Sequence, residues 1–477
     1  MSASGGSERD SWNAREVAHS KKWICRASPR IALLTPYTGG NLGDAAIQDA
    51  VIVNLQRLMP SAQFSGITLN CSNFLERHGT SAFPLVGAGI SFFRMDEKWT
   101  PPVSTVGGYT KGSILRQVLR RAPGAKLIKG LLQAIQSRSQ ALKIEARHWM
   151  KGYQFLRQHD LLLFSGGGQL DDNYGGPMGL PFALLKWTIL ARLAEVPCVM
   201  GSVGVGIINS RVSRCLIAIA LRLSLYRSFR EERSRAAAAR MYWPAQNDPV
   251  MPDFALTLSD AELPEASSDV RTMAAGRPIL VLSPMAFAKP TNWPAPDRAL
   301  HERYVKEIAA VLESLFHLGY FVVIACSSRG DDESVIPHLL GHLTEESRRD
   351  LDQWLLLPRI ESWKELLSVL KASDFLIASR LHGGIFGFVT EIPVISISFA
   401  SKVDWVLEFL GLSDYRLDIR TFEASDVMAL LERIKVEKER LHWKLASRRS
   451  EILSDVATEK QFAQFANFAL WHFQFRG

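Results

Sequence analysis

The chain of 477 residues has few cysteines and no pattern among them: Cys25, Cys71, Cys198, Cys215 and Cys326 are odd in number and include no Cys-x-x-Cys pair. That excludes a disulfide framework and a thiolate zinc site, and it fits a reducing cytoplasm. No His, Cys or Asp cluster stands out at metal-ligand spacing, so no metal is expected. A signal-type apolar core is also missing. The opening "MSASGGSERDSWNAREVAHSKKWICRASPR" is rich in Ser, Gly and charge and reads as a mobile tail over residues 1–28. Long hydrophobic runs are absent too. The most apolar stretch, "TILARLAEVPCVMGSVGVGII" (188–208), is broken by Arg192, Glu195 and Pro197, which makes it helix, turn and strand rather than a membrane span. Short repeats and low-complexity tracts do not occur beyond the tail, which excludes a solenoid.

What is present is ample apolar material. Hydrophobic residues make up 47% and charged residues 22%, the composition of a soluble globular chain long enough for two domains of roughly 200 residues each. The formal net charge is +8, and the excess sits in one place: residues 111–157 hold eleven Lys or Arg against one acid, Glu145. Apolar residues interleave with those charges. The segment reads either as amphipathic helix lying on an anionic membrane surface or as an ordinary solvated face packed on its own domain. A nucleic-acid partner is not expected.

The run "RIALLTPY" (30–37) ends at Gly39 and Gly40, and "DAAIQDAVIVNLQRLM" follows with apolar residues at helical spacing. This is a strand, a glycine turn and a helix. The same grammar returns at "DLLLFSGGG" before "GLPFALLKWTILARLAE", and at "VPCVMGSVGVG" before "SRVSRCLIAIALRL". After a turn-rich stretch the pattern restarts at "ILVLSP" (279–284) and alternates through "YFVVIAC", "DFLIAS" and "PVISISF". Such alternation predicts an α/β protein with two doubly wound, Rossmann-like domains facing across a cleft. The expected divisions are 29–265, carrying the basic helical segment 111–157, then 266–440, then a helical C-terminal extension over 441–477.

In open parallel sheets the ligand crevice lies beyond the carboxyl ends of the strands, where helix N-termini point N–H groups outward. Arg380, Leu381 and His382, followed by two glycines, fall at such a place. An anion there would meet a guanidinium, an imidazole and a helix dipole. The plainer alternative makes Arg380 a cap on a neighbouring helix and His382 a satisfied structural histidine. Arg230 in "YRSFREERS" is a second cationic candidate, set against the alternative of a solvated helix face. "NLGDAAIQDA" offers Asn41, Gly43 and Asp44, the last as helix cap, site residue or both. "SGGGQLDD" offers Gly167, Gly168 and Asp171 beside Asp172, without the spacing of a dinucleotide fingerprint or the lysine of a P-loop. Lys402 follows the next strand in "FASKVDW".

Taken in order, "GGNLGDAAIQDAV", "DLLLFSGGGQLDD", "SFREERS" with "MPDFAL", and "SDFLIASRLHGGIFGFVTEIPVISISFASK" resemble the polysaccharide pyruvyl transferase family over about residues 31 to 412. The resemblance implies a GT-B-like architecture, with the acceptor on the N-terminal domain and phosphoenolpyruvate held mainly by the C-terminal one. It implies transfer of a pyruvyl group to two hydroxyls of a sugar, in a polysaccharide or its lipid-linked precursor, with release of phosphate. By the same resemblance Arg380, Leu381 and His382 take the place of an Arg-x-His donor motif. Arg230 takes that of the arginine in an Arg-Asp-x-x-Ser pattern, with Glu231 for the usual Asp. Phosphoenolpyruvate carries a carboxylate and a phosphate, so two arginines and a histidine at a helix N-terminus supply suitable counter-charge. Lys402 is a further anion contact. His382 is the first choice for acid or phosphate contact, and Asp44 or Asp171 for base or acceptor binding, with Asn41, Gly43, Gly167 and Gly168 completing the acceptor side. Apart from phosphoenolpyruvate as co-substrate, no cofactor is implied. A lipid-linked acceptor would bring the protein to the inner face of the membrane. Two other readings remain: a GT-B glycosyltransferase using a nucleotide sugar, and a non-catalytic polysaccharide-assembly protein that retains the fold.

Overall fold

The computed structural model describes residues 28–87, 125–173, 175–241, 247–291, 293 and 295–476, with the backbone alone at 125–140, 456–457 and 472–476. The expected N-terminal tail, save its last residue, lies outside the described residues, as does the first part of the basic segment, 111–124. Short apolar runs form the strands. In the first sheet they are β1 (Arg30–Leu34), β2 (Gln63–Thr68), β3 (Ala82–Pro84), β4 (Leu161–Phe164), β5 (Gly167–Leu170), β6 (Cys198–Val205) and β7 (Tyr226–Phe229). Their order is β3-β2-β1-β4-β6-β5, with β7 also on β6. The second sheet holds β8 (Ile279–Ser283), β9 (Phe321–Ile324), β10 (Leu355–Leu356), β11 (Phe375–Ala378), β12 (Val394–Ser398) and β13 (Arg416–Asp418), in the order β10-β9-β8-β11-β12-β13.

All of the strand pairings are parallel, with Ile31 opposite both Phe64 and Leu161, and Leu280 opposite both Val322 and Phe375. Parallel sheets need helices on both faces, which is why the central strands read as unbroken apolar runs. The doubly wound α/β expectation is borne out. In each sheet the order reverses beside the first strand, between β1 and β4 and between β8 and β11. Those reversals open a crevice at the carboxyl ends of the strands.

One element was not expected. The glycine run after β4 does not lead straight into a helix but turns into β5. Gly166 and Gly167 take φ of +89° and +84°, left-handed values that a side chain resists, so the chain can leave β4 and rejoin the sheet beside β6. The helix Leu42–Leu58 is capped by Asn41 rather than Asp44: Asn41 Oδ1 accepts from the Gly43 and Asp44 N–H groups at 3.1 and 3.4 Å.

The C-terminal part also departs from the expected division. The helix Ala424–Leu453 runs unbroken through residue 441, and a last helix, Val456–Arg476, crosses back onto the first domain. There Phe462 and Phe465 are buried against Phe254, with ring centroids 5.0 and 6.4 Å apart, and Gln461 hydrogen-bonds Ser228. Each buried phenylalanine contributes about 1.5–3 kcal/mol, enough to hold this helix as a strap across the two domains.

The described part of the basic segment is one helix, Ala125–Leu156. Its acid, Glu145, is buried and accepts from Lys186 Nζ at 3.0 Å and Trp149 Nε1 at 3.1 Å, so this end is packed on its domain. Lys143, Arg147 and Lys151 stay exposed at four-residue spacing. No helix among the described residues is long and apolar enough to cross a membrane.

Candidate functional site

The loop after β1 meets the loop after β9. Leu42 N–H donates to the Ser327 carbonyl at 3.0 Å, Arg329 N–H donates to that of Gly40 at 2.8 Å, and Asn41 bridges Ser328. Farther along, Trp363 Nε1 donates to Asp49 Oδ2 at 2.6 Å. These bonds bring the first turn of Leu42–Leu58 against that of the helix Leu381–Val389. The contact is close enough to need a glycine. A Cβ at Gly43 would stand 2.0 Å from His382 Cγ and 2.1 Å from Nδ1, so the imidazole occupies the space a side chain would take.

On the second domain, Arg380 donates through Nε and Nη2 to Asp332 Oδ2 and Oδ1 at 2.8 and 2.7 Å. Asp332 is fully buried, and its Oδ1 also accepts from Ala286 N–H at 2.9 Å. Arg380 is therefore aimed by an acid. His382 Nε2 lies 3.9 Å from Asp253 Oδ2 and has no hydrogen-bond partner among the described residues. Burial pushes the imidazole pKa down to about 4, against the pull of Asp253 and with the help of Arg230, Lys402 and Arg380. At that value His382 is neutral at neutral pH.

From the first domain comes Arg230, buried, with Nε donating to Glu231 Oε2 at 2.9 Å and Nη1 to Asp253 Oδ2 at 3.2 Å. Burial works against its charge, but Glu231 and Asp253 outweigh it and raise the pKa above arginine's ordinary value. Glu231 also accepts from Ser234 Oγ, which in turn accepts from Val205 N–H at 2.8 Å. The guanidinium lies over Gly204, where a Cβ would be 2.7 Å from Nη2. Lys402, in the first turn of Ser401–Phe409, has its pKa lowered by burial and by Arg230, with Asp171 and Asp44 opposing.

Opposite these cations stand two carboxyls. Asp44 accepts from Asn41 Nδ2 at 2.8 Å, and burial, then Asp253, raises its pKa to about 6 despite Lys402, Arg230 and Arg380. Asp171 packs over Gly206, where a Cβ would be 2.7 Å from its own, and its Oδ1 has no partner among the described residues. Burial raises its pKa to about 6 as well, opposed chiefly by Lys402. Gly167 presents its backbone to Asp44, whose Oδ1 is 3.8 Å from the Cβ position.

The polysaccharide pyruvyl transferase family model matches residues 41–401. This chain belongs to that family. Among solved structures, it is similar to S. aureus MnaA in its UDP co-structure, with a TM-score of 0.51 at 12% identity over 93% of this chain and 97% of that one. Anabaena Alr3699/HepE in complex with UDP-glucose gives 0.51 at 13% identity over 91% and 98%. At those identities the likeness is one of fold, the GT-B-like pair of parallel-sheet domains.

In this member of the family the structure gathers Asp44, Asp171, Gly167, Arg230, Arg380, His382 and Lys402 from both domains. It does not gather every candidate. Leu381 points into the core, the Asn41 side chain is engaged in capping and in Asp44, and Gly168 faces open space. Asp172 accepts from the Asn209 and Ser210 N–H groups at 2.9 Å each, bonds that lower its pKa against burial, and so serves the start of the helix Arg211–Leu223. Two residues were missed: Asp332, within an acidic run just past β9, and Asp253, within the quoted "MPDFAL". The available signal was position, since Asp332 follows a strand beside the point where the sheet order reverses. Each arginine arrives with a buried acidic partner, so the site offers oriented donors rather than bare charge.

Proposed function

We propose that this protein takes phosphoenolpyruvate as donor and joins its three-carbon unit to two hydroxyls of one sugar, in a polysaccharide or its lipid-linked precursor, as a cyclic ketal with release of phosphate. The observation that carries this reading is the placement of the His382 Nε2, without a hydrogen-bond partner among the described residues, amid Arg230, Arg380 and Lys402 and across from Asp44 and Asp171. In the reaction, a proton adds to the methylene carbon of the donor and the neighbouring carbon becomes electrophilic. The first hydroxyl adds there, the carbon–oxygen bond to phosphate breaks, and the second hydroxyl closes the ketal. Of the two protons the hydroxyls release, one balances that taken up by the methylene and the other departs with phosphate. Arg380 and Arg230 bind the donor's carboxylate and phosphate. Asp44, with a pKa of about 6, is matched to base work near neutral pH, and Asp171 orients the acceptor. His382 starts neutral; the donor's negative charge raises its pKa, letting it carry a proton or assist the leaving phosphate.

The acceptor's source bears on the helix Ala125–Leu156. A lipid-linked acceptor lies at a membrane surface, toward which the exposed Lys143, Arg147 and Lys151 would turn. The test is calorimetric titration with phosphoenolpyruvate and with UDP-glucose, beside phosphate release against free and lipid-linked oligosaccharides. Donor binding with acceptor-dependent phosphate release supports the reading. Binding of UDP-glucose but not phosphoenolpyruvate would replace it with a nucleotide-sugar enzyme, and binding of neither with a non-catalytic role.

A further inference from the structure

His338 and His342 stand four residues apart at the short helix Ile336–Gly341 and its C-cap, a spacing that turns both side chains to one face. That face meets the helix Arg298–His317, and Glu302 lies between them. His338 Nε2 is 3.2 Å from Glu302 Oε2, and His342 Nε2 is 3.0 Å from Oε1. One ligand atom from each of the three residues falls within 4.8 Å of the others. A tetrahedral zinc ion with bonds of about 2.0–2.1 Å holds its donor atoms roughly 3.4 Å apart, so the carboxylate and both imidazoles already stand near coordination spacing. The rings are also braced. His342 packs beside His338 at 5.2 Å between centroids, and His338 beside the buried His301 at 5.5 Å, itself anchored by Nδ1 to the Phe287 carbonyl at 2.7 Å. All three ligands are partly open to solvent, which gives an ion a way in and leaves room for water. The histidine spacing passes unnoticed in the sequence because the third donor lies more than thirty residues upstream.

We propose that Glu302, His338 and His342 form a binding site for one divalent transition-metal ion, Zn²⁺ by preference, with water completing the coordination. Two imidazoles and one carboxylate suit Zn²⁺ over Mg²⁺ or Ca²⁺, which favour sets made wholly of oxygen. The ion ties two helices together around the segment that carries Asp332, the residue that aims Arg380. It stands apart from the transfer site and takes no part in the chemistry. Its role is to hold that segment in place.

The experiment uses untagged full-length protein, stripped with chelator and titrated with Zn²⁺ by calorimetry, together with Co²⁺ absorption and thermal melting. One ion per chain and a Tm that rises with Zn²⁺ are expected. The double variant His338→Ala/His342→Ala should bind at least about tenfold more weakly and lose the Tm response, while its metal-free circular dichroism and Tm match those of the wild type. Glu302→Gln should bind more weakly too. If the wild type shows no saturable one-to-one binding, the contacts are only hydrogen bonds between a carboxylate and two imidazoles and the proposal falls. Equal binding by the double variant would overturn it as well.

Discussion

Arg380 is held in a fixed orientation, because Asp332 takes two of its donors in a fork. Asp332→Asn keeps the shape but weakens that hold. Donor affinity, read by calorimetry, should fall about tenfold or more in Arg380→Ala, since loss of a charge partner at a buried anion costs about 2–5 kcal/mol, and by less in Asp332→Asn, where the guanidinium keeps its charge and loses only its fixed aim. His382→Ala should behave differently, lowering turnover more than donor affinity, because proton transfer and phosphate departure strengthen only in the transition state. Equal losses in both quantities would make His382 a plain binding residue. The two raised carboxyls carry a pH signature. A pKa lifted from 3.8 to about 6 at Asp171 means that the folded state prefers the neutral form; the associated stability is complete below about pH 4 and is lost as pH rises through 6. Asp171→Asn should therefore be more stable than the wild type at pH 7–8, by no more than about 3 kcal/mol, with the gap closing toward pH 4. Denaturation midpoints across that range decide the point. For His382 the sign reverses: its contribution is present above pH 6.5 and is lost as pH falls through about 4.

The helix Leu42–Leu58 shows how an element is shaped by its neighbour. Alanine in place of a glycine inside a helix stabilises it by about 0.5–1 kcal/mol, so Gly43→Ala should help an isolated helix. Here the added methyl would enter the His382 ring, and overpacking of that kind costs about 1–3 kcal/mol. The expected net result is a lower Tm and a larger loss of turnover; an unchanged or raised Tm would show that the two helix starts do not meet in solution. The helix Ala125–Leu156 presents the converse case, anchored by the buried Glu145–Lys186 pair yet exposing Lys143, Arg147 and Lys151. Near an anionic membrane each such residue contributes on the order of 1 kcal/mol. Liposome co-sedimentation should therefore weaken with salt and with charge reversal at those three positions, whereas binding indifferent to both would leave the helix as a solvated face.

Across the whole molecule, the site exists only because two domains are held together. The loops at Gly40–Leu42 and Ser327–Arg329 clamp one edge, and the last helix returns Phe462 and Phe465 to the first domain. If, as proposed, side chains of both halves meet the donor's charge, turnover at moderate temperature should persist in EDTA, with any effect of the chelator appearing in Tm. Complete loss of turnover restored by one divalent ion would place a metal in the reaction itself.

Local sequence pattern determined the strands and the alternation of strand and helix, because buried parallel strands must be continuously apolar and their helices must be amphipathic. It also marked Arg230, Asp44, Asp171, Arg380 and His382, since strand ends followed by glycine or helix starts are where a parallel sheet opens. β5 escaped it because a glycine run carries no apolar period. Asp332 and Asp253 escaped it because an acid that serves an arginine 48 or 23 residues away looks in sequence like any solvated acid. Only the tertiary structure decided which charges are paired, that Gly43 and Gly204 make room for a histidine and an arginine, and that burial drives two carboxyls up and an imidazole down. Those outcomes depend on which groups are brought out of water together, and one-dimensional spacing holds no record of that.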